Sequence, residues 1–351
     1  MNRQQVTKLR QSLLDWYDVQ GRELPWRIRP EDRAVGVIAN PYPIWLSEIM
    51  CQQTRIQTVI PYHAKFIARW PDVQALAAAS QDEVYGQWAG LGYYARARNL
   101  HNCARQIAAA GQFPDHEQGW LDLPGIGPYT AAAMMAILYD VPTNVVDGNV
   151  ERVMARLFAV QNPLPGAKPE LRKLAHSLIT DQRSGDYAQA IMDLGALVCT
   201  PKSPKCGTCP WMKSCAAHEK GNPGQFPLRT AKPPRPERFG MVFVLQNENQ
   251  ILLQKRPEKG LLGGMSQVPG TPWNDRIWTV AEAHAFAPCA GDWQKMGEIR
   301  HVFTHFSLNV QVMHLQVGDR LNPSDGWWAQ IDRLGQAALP SLYKKVLGLC
   351  L

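Results

Sequence analysis

The chain has 351 residues, 45% of them hydrophobic, and a net charge of +7. That length fits two domains, each large enough to bury an interior without a metal or disulfides to hold it. No apolar run approaches the length that crosses a bilayer, which excludes a membrane protein.

The N-terminal segment runs into an amphipathic pattern (Val6, Leu9, Leu13, Leu14, Trp16, Tyr17) without a signal-peptide core, so a soluble cytoplasmic monomer is expected. Residues 1–220 read as helices joined by short Gly/Pro turns, among them 73–90, 95–110, 129–139 and 169–182, with little strand signal. Residues 221–238 are rich in Pro, Gly and Arg and read as an extended linker. Arg229, Lys232, Arg235 and Arg238 against Glu237 give it a net +3, which suits a polyanionic partner or simply a solvated linker. Residues 239–351 read as an α+β domain, with strands at 239–245, 250–254, 299–303 and 307–317 and a helix around 277–286.

Four of the eight cysteines, Cys199, Cys206, Cys209 and Cys215, crowd together with the spacing C-x6-C-x2-C-x5-C. In a long cytosolic chain this points to metal ligation rather than a disulfide framework. Structural zinc usually gathers thiolates as two close pairs, and only Cys206 and Cys209 form one here, which favours iron-sulfur. The loop supplies no acid or base. Its expected role is to fold and to present Lys202, Lys205 and Lys213 to phosphates.

Residues 123–133, LPGIGPYTAAA, form a turn with two glycines running into a helix, and Pro128 suits the first helical position. Gly125 and Gly127 let the backbone approach an anion, and the helix N-terminus favours its charge. An ordinary helix-turn-helix junction is the alternative reading. About twenty residues on, Asp147 stands immediately before another helix. Alone it would be an N-cap, but that position also keeps it ionised and aims it at whatever the hairpin presents.

The hairpin, the Asp and the cysteine spacing together resemble the helix-hairpin-helix DNA glycosylases of the endonuclease III superfamily, over residues 5–218. The resemblance implies a mostly α glycosylase domain with a [4Fe-4S] cluster on the four cysteines. Endonuclease III-like members carry a hairpin lysine that forms a Schiff base with the sugar. Tyr129 at that position resembles instead the MutY-type adenine DNA glycosylases, which cleave the glycosidic bond without strong lyase activity.

Residues 47–54, SEIMCQQT, look like the helix of that family that carries a general acid and a wedge. Set among Leu46, Ile49 and Met50, Glu48 becomes a candidate acid with a raised pKa. Adenine leaves poorly until a ring nitrogen is protonated, and glycoside hydrolysis uses two carboxylates. The resemblance therefore implies Glu48 as the acid at adenine N7 and Asp147 as the anion that stabilises, and in the family attacks, the oxocarbenium-like sugar. Tyr129 and Asn149 would support Asp147. The base must first leave the stack. Gln53 and Tyr93 match the family's wedge positions, with Gln52, Thr54 and Leu91 beside them, and Trp26, Arg27 and Asp193 match positions lining the adenine pocket.

The second domain resembles the Nudix-related domain with which this family reads 8-oxoguanine. It lacks the catalytic Nudix signature, so it is expected to bind and not hydrolyse. Arg256-Pro257 with residues 260–264 resembles the family's early loop, and Phe303, Thr304 and His305 resemble its Phe-Ser-His loop, with Thr304 in place of serine. The implied partner is duplex DNA carrying 8-oxoguanine:A or G:A, in a bacterium at the nucleoid. The chain departs from the family in extra residues at 30–39 and in Ala188, where Asn is common. The alternatives are an endonuclease III-like glycosylase for oxidised pyrimidines and a non-catalytic iron-sulfur DNA-binding protein.

Overall fold

The computed structural model describes every residue except 232, 258–259, 319–325 and 336; Lys232, counted among the linker cations, therefore lies outside the described residues. The chain divides into two compact units, residues 1–79 with 99–231 and residues 80–98 with 232–351. The break after residue 231 falls inside the segment read as a linker, while residues 80–98, read as part of the helical domain, group with the C-terminal unit.

The helices in chain order are α1 (Arg3–Gln20), α2 (Pro30–Ala34), α3 (Pro41–Cys51), α4 (Ile56–Arg69), α5 (Val73–Ala78), α6 (Gln81–Trp88), α7 (Tyr94–Ala110), α8 (Glu117–Leu121), α9 (Pro128–Tyr139), α10 (Gly148–Leu157), α11 (Lys168–His176), α12 (Ser184–Asp193) and α13 (Ala216–Glu219). Among the described residues of 1–231, the only β-type pairing is an isolated bridge between Leu164 and Arg229. That bridge ties part of the expected free linker down, with Leu164 N–H donating to Leu228 O and Thr230 N–H to Leu164 O.

Two expected helices differ from those observed, and capping explains the first. Ser80 and Glu83 form a reciprocal capping box that starts α6 anew, so the continuous helix expected over 73–90 is two. The helix expected over 169–182 ends at His176.

Helices α3, α9 and α12 form the interior of the first unit. Thr130 to Ile137 of α9 and every residue of α12 are buried, as suits helices packed on all sides. α9 packs on both α3 and α12. A polar side chain on any of these three helices is therefore held in a largely dry, fixed setting.

The second unit is built on a mixed sheet of β1 (Glu237–Asn247), β2 (Gln250–Lys255), β3 (Ser266–Gln267), β4 (Gln294–Val302), β5 (Ser307–Val317) and β6 (Trp327–Gln330), in the order β3-β2-β1-β5-β4 with β6 also on β2. β1 runs parallel to β5, and the remaining pairs are antiparallel. Side chains alternate across β1: Val242 and Val244 join a core with Leu342 and Val346 of α15 (Ser341–Leu347), whereas Met241, Phe243 and Leu245 meet Ala283 of α14 (Val280–His284) and Trp293. Both faces are covered, which is why β1 is apolar without interruption from Met241 to Leu245. The expected four strands are present; β3, β6 and α15 were not anticipated.

Candidate active site and iron-sulfur loop

Asp147 is the N-cap of α10. Its Oδ1 accepts from Asn149 N–H and Val150 N–H at 2.8 Å each, and its Oδ2 accepts from Asn149 Nδ2 at 2.7 Å. Three donors fix the carboxylate's orientation at the start of the helix. Asn149 is held in turn, its Oδ1 accepting from an Arg152 guanidinium nitrogen at 2.9 Å.

Glu48 projects from α3, half-buried. Tyr129, on the first turn of α9, donates its hydroxyl toward Glu48 Oε2 at 3.3 Å, and that hydroxyl also lies 3.1 Å from Met192 Sδ of α12. Burial pushes the Glu48 carboxyl up to about 7, against the opposing Arg27 charge and the Tyr129 hydroxyl, and the Asp147 charge adds to the rise. Tyr129 is itself raised, by burial first and then by the Glu48 and Asp147 charges. The Asp147 charge thus reaches both Glu48 and Tyr129, and Glu48 tends to hold a proton near neutrality.

The hairpin turn lies between α8 and α9. Gly125 sits at φ +79°, where a Cβ would come 2.7 Å from Asn99 Cβ, so both the backbone and the close approach call for glycine. Gly127 is the N-cap of α9, with Pro128 in the first turn as anticipated.

Trp26 is buried and its ring meets the His63 ring at 4.8 Å. Asp193 is fully buried. It accepts from Arg27 at 2.7 and 2.9 Å, from the Arg22 backbone N–H at 2.8 Å and from Arg22 Nε at 2.7 Å. Burial works against the charge, yet the two guanidiniums outweigh it and leave the carboxyl below its usual range. Its role here is to fix Arg27, whose charge reaches Glu48. Arg22 was not foreseen, because its partner is distant in sequence.

Gln53 and Tyr93 are both exposed and both adopt left-handed backbone, at φ +58° and +49°. Gln52 donates to Thr130 Oγ1 at 3.4 Å, and Thr54 Oγ1 to Gln52 O at 3.4 Å. Leu91 differs from expectation: at 5% exposure it is an interior side chain, and its carbonyl accepts from Arg96. A residue so buried is no surface wedge as it stands. Of the departures from the family pattern, α2 occupies part of residues 30–39, with Arg33 donating to Ile137 O at 3.3 Å, and Ala188 is buried.

All four expected cysteines, Cys199, Cys206, Cys209 and Cys215, line one pocket together with Arg156, Val198 and Met212. None is in a disulfide. Burial first, and then their neighbours' charges, raise the Cys209 and Cys215 thiols; thiolates brought this close need a cationic centre, which is what a cluster supplies. Arg156 is buried beside them, donating to Cys199 Sγ at 3.3 Å and to Thr200 O and Pro201 O at 2.8 and 2.9 Å. The donor set and its arrangement fit an iron-sulfur cluster. Lys202, Lys205 and Lys213 are exposed around it.

One turn not anticipated joins this loop to α12: Leu194–Val198 is a π-helical segment. Gly195 within it packs against Asn149, where a Cβ would fall 2.7 Å from Asn149 Cβ. Arg152 spans the junction, donating to Gly195 O and Cys199 O at 2.7 Å each.

In the second unit, Thr304 and His305 form the exposed tip of the β4–β5 connection, closed by Phe303 N–H donating to Phe306 O at 2.9 Å. Phe303 lies half-buried beneath them, 5.0 Å from the Phe306 ring.

Residues 46–178 match the HhH-GPD superfamily of base excision DNA repair proteins, residues 199–215 the iron-sulfur binding domain of endonuclease III, and residues 241–349 the NUDIX domain. The adenine DNA glycosylase of Homo sapiens is 34% identical over 97% of this chain and 74% of its own length. The adenine DNA glycosylase of Buchnera aphidicola subsp. Schizaphis graminum is 31% identical over 96% of this chain and 97% of its own. The chain belongs to the adenine DNA glycosylase family.

A thermostable thymine-DNA glycosylase superposes on 62% of the chain with a TM-score of 0.54 at 27% identity, covering 98% of that protein. A DNA complex of endonuclease III superposes with a TM-score of 0.51 at 20% identity, over 63% of this chain and 98% of that one, and shows the shared fold. As an adenine DNA glycosylase the chain is a DNA N-glycosylase of base excision repair, and its cofactor is a [4Fe-4S] cluster. Among the described residues no helix is long and apolar enough to cross a membrane.

Proposed function

We propose that the adenine removed is the one mispaired with 8-oxoguanine, and with guanine, in duplex DNA, with Glu48 as the proton donor and Asp147 as the stabilising anion. The reading rests on one observation: Glu48, raised to about 7 and within reach of the Tyr129 hydroxyl, feels the charge of the triply hydrogen-bonded Asp147. Neutral Glu48 gives its proton to N7 of the extruded base as the C1′–N9 bond breaks. The bonding pair leaves with adenine. The positive charge left on the sugar is met by Asp147, and water then adds at C1′, giving its proton to the Glu48 carboxylate. Tyr129 offers no amine, so no Schiff base forms.

The cluster, when bound, supplies a folded loop through Cys199, Cys206, Cys209 and Cys215, with Lys202, Lys205 and Lys213 exposed for backbone phosphates. Gly125 and Gly127 offer hairpin N–H groups for a further phosphate. Gln53, flanked by Gln52 and Thr54, is an exposed side chain suited to fill the vacated place in the stack, as is Tyr93 in its own unit, and Trp26 and Arg27, held by Asp193, bound the adenine pocket. Thr304 and His305 read the opposite base, since a hydroxyl and an imidazole at an exposed tip can tell 8-oxoguanine from guanine by its N7–H and O8.

The test is adenine release from duplexes with A opposite 8-oxoguanine or guanine, alongside thymine glycol opposite A, followed by alkali cleavage. Release of adenine with preference for 8-oxoguanine is expected, and its erosion in a Thr304→Ala/His305→Ala variant. Release of thymine glycol, or a preference untouched in the variant, overturns the reading.

A further inference from the structure

The exposed tip that carries Thr304 and His305 rests on an aromatic stack, and that stack converges on one guanidinium. Phe303 stacks on Trp273 with ring centroids 5.6 Å apart and an interplanar angle of 29°, and the Trp273 ring has Arg256 over its face at 4.8 Å. Arg256 is half-buried and reaches in three further directions. Its Nε donates to Leu261 O at 3.2 Å, within the loop that follows β2. Another nitrogen donates to Gln267 Oε1 on β3 and, at 3.1 Å, to the Tyr343 hydroxyl on α15. Tyr343 donates to Gln267 Oε1 at 3.0 Å, which closes the triangle. The backbone of Arg256 also seals the base of the loop, its N–H donating to Met265 O at 2.9 Å and its carbonyl accepting from Gly264 N–H at 3.3 Å.

We infer that Arg256 is a positioning residue for recognition of the base opposite the adenine. Through Trp273 and Phe303 its planar fork fixes the 303–306 tip, and through Leu261 O it fixes the neighbouring turn at residues 260–264, so that both are set before DNA arrives. The inference rests on the reading that Thr304 and His305 contact that base. A planar cation with five donors can span a ring face, a carbonyl, an amide and a phenol at once. A lysine ammonium is a compact point charge and cannot reach all of these separate directions at once. The cost of an unset tip falls on discrimination, because an ordering penalty is then charged to every specific contact, whereas contacts to the DNA backbone and the chemistry in the other unit do not pass through this stack.

The experiment compares single-turnover adenine release from 8-oxoguanine:A and G:A duplexes, at subsaturating full-length protein, for the wild type, Arg256→Met, Arg256→Lys, Thr304→Ala/His305→Ala and the combined Arg256→Met/Thr304→Ala/His305→Ala. Arg256→Met should lower the 8-oxoguanine preference by roughly tenfold, the scale of one lost cation–π contact with its hydrogen bonds, and leave G:A release within about twofold. Arg256→Lys should fall between. The combined variant should lose no more preference than Thr304→Ala/His305→Ala alone. If that double variant keeps the preference, the recognition reading itself fails. If it loses the preference while Arg256→Met and Arg256→Lys keep it, the bracing role is wrong, and a drop in Tm without a change in preference counts the same way. Should Arg256→Met not fold, the comparison stands on Arg256→Lys, for which an unchanged ratio overturns the inference.

Discussion

The Tyr129 hydroxyl stands 3.3 Å from Glu48 Oε2, a phenol donor set against a carboxyl that burial keeps near neutral pH. Base release should therefore be high below about 7 and fall as pH rises through it, because only the protonated carboxyl can donate. Tyr129→Phe removes a donor that favours the ionised form, so the falling limb should move to higher pH. Glu48→Gln should abolish release and flatten the profile; a Glu48→Gln protein that retains turnover would remove Glu48 from the chemistry. The sign for stability follows from a pKa raised on folding: the contribution is present below the ordinary carboxyl value and is lost through about 7. Wild type should thus give up about 2–3 kcal/mol by pH 8, and Glu48→Gln should melt higher than wild type there but not at pH 4.

For Asp147, substitution by Asn keeps an oxygen to cap α10 but removes the charge. Base release should drop by several orders of magnitude, the duplex should still bind, and the Tm should move little. Asp147→Ala additionally loses the cap and should cost about 1 kcal/mol in denaturant melts. Equal stability of the two variants would show that the cap contributes nothing.

Asp193 offers a pH test of opposite sign. Its carboxyl is held below the ordinary range by Arg27 and Arg22, so its stabilisation is present above the usual carboxyl value and disappears as acid titrates the folded form. Asp193→Asn leaves two guanidiniums without their anion and should cost about 3–5 kcal/mol at pH 7, less in acid. It should also displace Arg27, whose charge opposes the rise at Glu48. The falling limb of base release would then move as well, which simple destabilisation does not predict.

Arg152 joins the two halves of the site, accepted by Asn149 Oδ1 beside Asp147 and by Cys199 O on the cysteine loop. Arg152→Met strands buried carbonyls at about 1–3 kcal/mol each. It should lower both base release and the iron retained after a chelator challenge. Loss of activity at full iron content would confine Arg152 to the Asn149 side; full activity with lost iron would confine it to the loop.

Much of this site was legible in the sequence because its chemistry lies in short motifs. The cysteine spacing, the glycines of the hairpin, Asp147 before its helix and Glu48 among apolar neighbours each carry local meaning. What could not be read was the long-range pairing. Arg22 and Asp193 are far apart in the chain, and Arg152 and Arg156 look like ordinary helical arginines until the cysteine loop folds over them. The burial of Leu91 could not be read either, because a short apolar turn does not announce which way it faces. The late helix α15 did carry a signal, with Leu342, Tyr343, Val346 and Leu347 at helical spacing, while β3 has only two residues to show.

The π segment at Leu194–Val198 carries one more residue per turn than the helix that leads into it. Five residues at this wider pitch turn the chain about as far as four α-helical ones, so the extra residue is taken up within the segment and Cys199 leaves it in nearly the phase a regular helix would give. Removing one residue from α12 itself has no such slack: at about 100° per residue it would carry Cys199 out of phase with the other three sulfurs. A one-residue deletion in α12 should therefore cost iron and catalysis together, and one inside Leu194–Val198 should cost far less iron.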